Sequence, residues 1–161
     1  MTYDWVITSW ISVIKNILGE DYTVIRAEGA VGAGAVRPDG KFVTVKLISG
    51  PNDYTIDEVS RVNVDCNLEL VSAKTFTISV QAFREGAMDA VLNIKMQLEN
   101  PEKIEMLEKI SVTQRGDVTD LSQQFETGFE ERFSLDISFA VGFTAPTNIG
   151  IIDNVGEINN G

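Results

Sequence analysis

The segment from residue 132 to residue 141 alternates large apolar residues with polar or small ones. The large apolar members are Phe133, Leu135, Ile137, Phe139 and Val141. Successive side chains of a β-strand point to opposite faces of a sheet, so one face of this segment is buried and the other is polar. We therefore predict a central antiparallel strand, which Pro146 ends.

Two further runs show the same period of two. The residues from Val62 to Leu70 and those from Phe76 to Ala82 both alternate, and Ser72-Ala73-Lys74 separates them. Two alternating runs joined by so short a link predict an antiparallel hairpin. A preceding strand begins at Lys41 and is expected to end at the turn residues Gly50 to Asp53.

A glycine-rich segment follows the first predicted strand, which runs from Tyr22 to Ala27. Glycines in the segment from Glu28 to Val36 could let backbone amides approach an anion closely. However, their spacing matches neither of the common phosphate-binding patterns. We interpret the segment as a loop.

Helical periodicity appears in three places. Apolar residues of the N-terminal segment recur at helical spacing as far as Leu18, and Gly19 follows where a helix is expected to end. The same spacing predicts a second helix from Ala87 to Leu98. Asn100-Pro101-Glu102 has the cap, proline and acidic residue of a helix start, so a short third helix should carry apolar residues as far as Ile110.

Together these elements predict an α+β fold, an antiparallel β-sheet with helices packed on one face, an amphipathic N-terminal helix and a short C-terminal tail. Val112 to Val118 is expected to be an edge strand, and Thr119 to Gly128 an irregular connection. The tail is the segment from Thr147 to Gly161. No internal repeat or linker divides the chain, so residues 1–161 are expected to form a single domain.

The charge of the chain limits its partners. Its 13 Lys and Arg residues stand against 24 Asp and Glu residues, for a formal net charge of -11. This charge opposes binding to a phosphate backbone. A small acidic binding module, such as an inhibitor that mimics DNA, remains an open interpretation.

The sequence contains little that could carry catalysis. There is no His, and the single Cys, Cys66, lies in the apolar register of an alternating run, where it is expected to be a small buried hydrophobe. The neighbouring carboxylates Asp57/Glu58, Asp117/Asp120 and Glu130/Glu131 are best explained as solvated surface. We therefore expect no enzyme activity, cofactor or metal. No export signal or membrane-spanning run is visible.

Several segments, taken in order, resemble the neck or tail terminator proteins of contractile-tailed phages and prophages. The most specific is Phe129-Glu130-Glu131-Arg132-Phe133-Ser134-Leu135-Asp136. The other matching pieces are Arg37-Pro38, Phe42 to Val45, Thr75 to Phe83, Ala87 to Ala90 and Ile149 to Val155.

The resemblance implies a structural protein of the virion neck or tail, made in the host cytoplasm. It implies a ring, expected to hold six copies, that caps the tail tube and joins it to the head-side connector. The implied partners are further copies of the chain, the tail tube protein and neck proteins, with the sheath protein as a further candidate. DNA is expected to pass through the lumen without specific binding. Another tail or head-completion component remains an alternative.

The resemblance also suggests contact residues. Glu130, Glu131, Arg132 and Asp136 become candidates for ion pairs between subunits, because a ring repeats one contact around its axis. Pairing of Arg132 within its own chain is the alternative. Ile151 and Ile152 of the tail are candidates for apolar contacts with a neighbouring subunit.

Overall fold

The computed structural model describes residues 3–27, 37–53, 59–62 and 68–147. Cys66, the segment 28–36 and the tail residues Ile151 and Ile152 lie outside the described residues. In chain order the elements are α1 (Asp4–Leu18), β1 (Thr23–Arg26), β2 (Phe42–Asp53), β3 (Val59–Val62), β4 (Leu68–Phe83), α2 (Ala87–Gln97), α3 (Pro101–Glu105), β5 (Ile110–Asp120), β6 (Gln123–Phe125), β7 (Gly128–Glu130) and β8 (Arg132–Thr147).

The main sheet has six strands in the order β1-β2-β4-β8-β5, and β3 pairs with the first residues of β4. The α+β prediction is confirmed. The sheet is mixed, however, since β1 pairs parallel with β2 while the other pairs are antiparallel. A parallel pair of this kind requires a crossover connection and cannot be joined by a tight hairpin turn.

The core lies between one face of this sheet and the helices α1 and α2. Leu135, Ile137, Phe139 and Val141 of β8 are fully buried, as their alternation predicts. The indole of Trp10 packs against Phe139 at a centroid distance of 5.3 Å. The buried apolar residues of α1, α2 and this face of the sheet form one contiguous cluster, so the amphipathic faces of both helices are used inside the fold.

The predicted strand at residues 132–141 is confirmed as part of β8, which pairs with β4 on one side and β5 on the other. The expectation that Pro146 ends it was wrong, because β8 continues to Thr147. β5 pairs with β8 only as far as Val141. The proline therefore lies where β8 has one described neighbour, a position that tolerates a missing N–H.

The hairpin predicted around Ser72-Ala73-Lys74 was also wrong. These residues lie inside β4 and pair with β8 from Phe143 to Val141. β4 instead pairs antiparallel with β3, the strand that precedes it in the chain, with Val59 opposite Val71 and Val62 opposite Leu68. Pairing with neighbouring strands satisfies the backbone groups of this polar stretch, so local turn preference does not decide its structure.

The turn expected from Gly50 to Asp53 is instead an irregular part of β2. Register shifts after Leu47 and after Ser49 accommodate the segment, and Asp53 is again paired with Lys74. Gly50 has φ +111° and approaches β4 so closely that an added Cβ would lie 2.6 Å from the carbonyl oxygen of Thr75. Glycine is needed there because of this approach and not because the chain turns.

The remaining predictions differ mainly in element length. α2 is confirmed, and β5 is confirmed as an edge strand. The predicted third helix ends at Glu105, and Ile110 begins β5 instead of ending the helix. The connection expected to be irregular contains the two-stranded hairpin β6–β7.

Replacement of the central tryptophan should destabilise the fold strongly. Trp10 is completely buried, so Trp10→Ala leaves a cavity and should lower the free energy of unfolding by about 3–5 kcal/mol. Urea denaturation followed by circular dichroism measures this loss. Trp5→Ala on the same helix is the matched control, because Trp5 is 37% exposed. Equal losses in the two variants would contradict the packing described here.

Candidate assembly surface

The charged residues predicted as contacts lie where β7 is followed by β8, at one end of the main sheet. Glu130 ends β7, Arg132 begins β8, and Glu131 lies between the two strands. Asp136 lies farther along β8, exposed on the face of the sheet opposite the core. The structure therefore brings three of the four candidates together at this end.

A pair of stacked phenyl rings forms the base of this end of the sheet. Phe42 and Phe83 face each other across β2 and β4, with centroids 4.5 Å apart and planes inclined by 8°. Both are buried, although they lie on the sheet face away from α1 and outside the main core cluster. The two rings thus form a small second apolar cluster at one end of this face.

Three arginines cover the stacked rings. The guanidinium of Arg37 lies 5.4 Å from the Phe42 centroid and 5.3 Å from the Phe83 centroid. Arg84 lies 5.5 Å from Phe42, and Arg132 lies 5.0 Å from Phe83. Attraction between each cation and the electron-rich ring face holds the arginines close together. We call these five residues the arginine platform.

Arg84 also fixes the chain that precedes β2. Its guanidinium donates hydrogen bonds to the carbonyl oxygens of Gly40 at 2.7 Å and Pro38 at 2.6 Å. The Arg84 backbone has φ +75°, a conformation that is uncommon outside glycine. The side chain therefore joins the end of β4 to the segment before β2.

Glu130 and Glu131 both have partners within the chain. Glu130 forms an ion pair with Arg37, which links β7 to the platform. The Glu131 carboxylate accepts hydrogen bonds from the backbone N–H groups of Gly86 and Met88, each at 3.3 Å. It thereby caps the N-terminus of α2 and places a negative charge where the helix dipole favours one.

Arg132 interacts within its own chain, but with neutral groups. Its guanidinium donates to the side-chain oxygen of Gln81 at 2.6 Å, and its backbone N–H donates to the hydroxyl of Ser122 at 3.0 Å. Its Nε is buried and has no partner in the described part of the chain. The role of Arg132, Glu130, Glu131 and Asp136 between subunits stays a prediction.

The β6–β7 hairpin presents two phenyl rings to solvent. Phe129 is 70% exposed and Phe125 is 49% exposed. A cleft of about 670 Å³ lies between the hairpin and the residues Arg84 and Glu85, and the paired Arg37 and Glu130 also line it. Exposed aromatic rings on a projecting hairpin do not help the chain to fold and are typical of a contact surface.

A second surface feature with exposed apolar side chains, Trp5 and Met106, lies on the helical side. The space between α1 and the turn after α3 forms a groove of about 210 Å³, lined by Trp5, Ser9, Met106, Glu108 and Lys109. We call it the Trp5 groove. Sequence reasoning missed it, although Trp5 is a large apolar residue that lies off the buried stripe of α1.

Hydrogen bonding and burial shift two pKa values in this part of the fold. Hydrogen bonds from the side chain and backbone of Ser122 lower the pKa of Asp120. Burial raises the pKa of Tyr22, and the charges of Asp89, Glu131 and Asp21 raise it further. The Tyr22 hydroxyl donates to the carbonyl oxygen of Gly86 at 3.2 Å, beside the start of α2.

Within the described ranges, no group of three or more acidic or cysteine residues is positioned to hold a metal ion. No helix in the same ranges is long and apolar enough to cross a membrane.

Comparison with known proteins assigns this architecture to a family. The family model for the phage neck terminator protein matches residues 3–161. The chain belongs to the phage neck terminator family. The resemblance drawn from the segment around Phe129 to Asp136 is therefore confirmed. A search among curated proteins found no relative that matches this chain.

Membership of the neck terminator family defines the general role. The chain is a structural protein of the virion, located at the neck and tail after synthesis in the host cytoplasm. Family membership also implies interaction with other tail and head–tail proteins.

Removal of the Arg84 side chain should loosen the platform. Arg84→Ala leaves two main-chain carbonyl groups without their donor and should lower the free energy of unfolding by about 1–3 kcal/mol. Arg84→Lys should recover only part of this loss, because an ammonium group cannot reproduce the planar fork. Urea denaturation tests both, and full recovery by lysine would contradict the geometric role.

Tyr22 should ionise at higher pH than an ordinary tyrosine. Its pKa in the folded chain lies above 10.0, so its contribution to stability is present below pH 10.0 and is lost as the pH rises through the folded value. Titration of phenolate absorbance should show a late transition that Tyr22→Phe removes. The unfolding free energy of the wild type should also fall relative to that of Tyr22→Phe above pH 10.0. A titration unchanged by this substitution would contradict the assignment.

Proposed function

We propose that the chain assembles into a ring of six copies that caps the completed tail tube and joins it to the head-side connector. The family match over residues 3–161 is the observation that carries the proposal. The exposed phenyl ring of Phe129 supports it, because it provides apolar surface for contact with another protein.

The proposal treats residues 1–161 as a single terminator domain with a structural, non-catalytic role. Its partners are the tail tube protein and the neck proteins of the connector, with the sheath protein as a further candidate. The net charge of -11 supports a lumen that repels DNA, so that DNA passes without specific binding. The family match favours this role over an acidic module that mimics DNA.

The charged residues at the end of the sheet differ in how far they are available to a neighbouring subunit. Glu131 caps α2 and Glu130 pairs with Arg37, so both carboxylates already have intrachain partners. Asp136 is exposed on the open face of the sheet. Within the proposal, Asp136 is the charged candidate most available to a neighbouring copy, whereas Arg132 is engaged with Gln81 and Phe83. Ile151 and Ile152 add apolar contacts from the tail.

Assembly can be tested on the purified chain and on tail tubes. Native mass spectrometry should give a mass of six chains, and negative-stain images should show rings with a central opening. Addition to tubes of the cognate tube protein should place one ring at a tube end and stop further growth. A chain that stays monomeric and leaves tube length unchanged at assembly concentrations would contradict the proposal.

A further inference from the structure

The exposed hairpin and the Trp5 groove lie at opposite ends of the main sheet. The hairpin adjoins the start of β8, where the backbone N–H of Leu121 donates to the carbonyl oxygen of Arg132 at 2.8 Å. The groove adjoins the other end, because Lys109 directly precedes Ile110, which pairs with Val141 of β8. Arg132 and Val141 are nine positions apart along the strand, a distance of about 30 Å.

The groove is large enough for an aromatic ring and has two apolar side chains for it to contact. Phe129 projects a phenyl ring that is 70% exposed, whereas the groove offers the partly exposed side chains of Trp5 and Met106. An apolar cavity of about 150 Å³ accommodates benzene, so a groove of about 210 Å³ has room for one phenyl ring. Contact of the ring with an indole and a thioether is favourable.

The charges beside the two features also fit a contact between copies. Glu126 lies exposed at the turn of the hairpin, and Lys109 lines the groove together with Glu108. Copies that each carry a net charge of -11 repel one another, so a stable contact needs apolar surface or pairs of opposite charge. Phe129, Trp5 and Met106 offer apolar surface for such a contact. Glu126 and Lys109 offer a pair of opposite charges.

We propose that Phe129 of one copy inserts into the Trp5 groove of the next, with Glu126 against Lys109. Because the two patches differ and lie at opposite ends of the sheet, the contact is head-to-tail and can be repeated by every copy until a ring closes. This inference rests on the proposed ring and names the surfaces that build it. It gives the hairpin a function beyond the fold, since a two-stranded hairpin adds little stability by itself.

Single substitutions with matched controls test the apolar contact. Phe129→Ser and Met106→Glu should each weaken ring assembly at least about tenfold, measured as the protein concentration at half-assembly. Phe125→Ser and Met96→Glu are the controls, because both residues are exposed but neither lies at the proposed contact. Phe125 pairs with Gly128 and so points to the hairpin face opposite Phe129, which pairs with Gln124. Circular dichroism should show all four variants folded.

Mixing the two contact variants tests the head-to-tail geometry. Phe129→Ser keeps an intact groove, and Met106→Glu keeps an intact hairpin. An equimolar mixture should therefore form dimers, because each pair has one productive contact that cannot be extended. Each variant alone should remain monomeric under the same conditions. Absence of a mixed dimer would overturn the pairing of these two surfaces.

Charge exchange tests the polar contact. Glu126→Lys and Lys109→Glu should each raise the concentration at half-assembly, and the double variant should return it to within about threefold of the wild type. If the wild type forms rings and the Phe129→Ser and Met106→Glu variants form them equally well, this inference is overturned while the proposed function stands. A wild-type chain that forms no ring would instead contradict the proposed function, and the inference would fail with it.

Discussion

β4 and β8 pair antiparallel along sixteen residues each, and the other parts of the structure are positioned by this pair. Its core face carries Phe76, Ile78, Leu135, Ile137 and Phe139, against which α1 and α2 pack. β2 and β3 add to β4, and β5 adds to β8. A slip of one residue in this register would turn every core side chain toward the opposite face, so the rest of the fold depends on it.

The same register brings the arginine platform together. Phe83 stands opposite Arg132 across β4 and β8, and opposite Phe42 across β2 and β4. Two phenyl rings on the open face would be costly to expose, and the three guanidinium groups cover them while remaining charged. The platform in turn connects to the β6–β7 hairpin through Arg37 and Glu130. The register of β4 and β8 therefore positions the arginine platform, and the platform in turn positions the exposed β6–β7 hairpin.

Part of the surface could be predicted from the sequence and part could not. The motif from Phe129 to Asp136 drew attention to the correct end of the sheet, because it resembles terminator proteins. It did not show that Glu131 caps a helix that begins forty-four residues earlier at Ala87, since that contact depends on tertiary packing. The Trp5 groove was missed because its lining residues come from two segments, α1 and the turn after α3, that are far apart in the sequence and share no common pattern.

The sequence by itself determined the elements with strong periodicity: the buried face of α1, the helix α2 and the alternating core of β8. Periodicity is sufficient there because one face of each element must be removed from water. Only the tertiary structure decided that β1 runs parallel to β2, that Ser72-Ala73-Lys74 continue a strand, and that Gly50-Pro51 lie within β2. In each of these cases hydrogen bonds to a distant strand override the local preference for a turn, and a sequence read one segment at a time does not contain that partner.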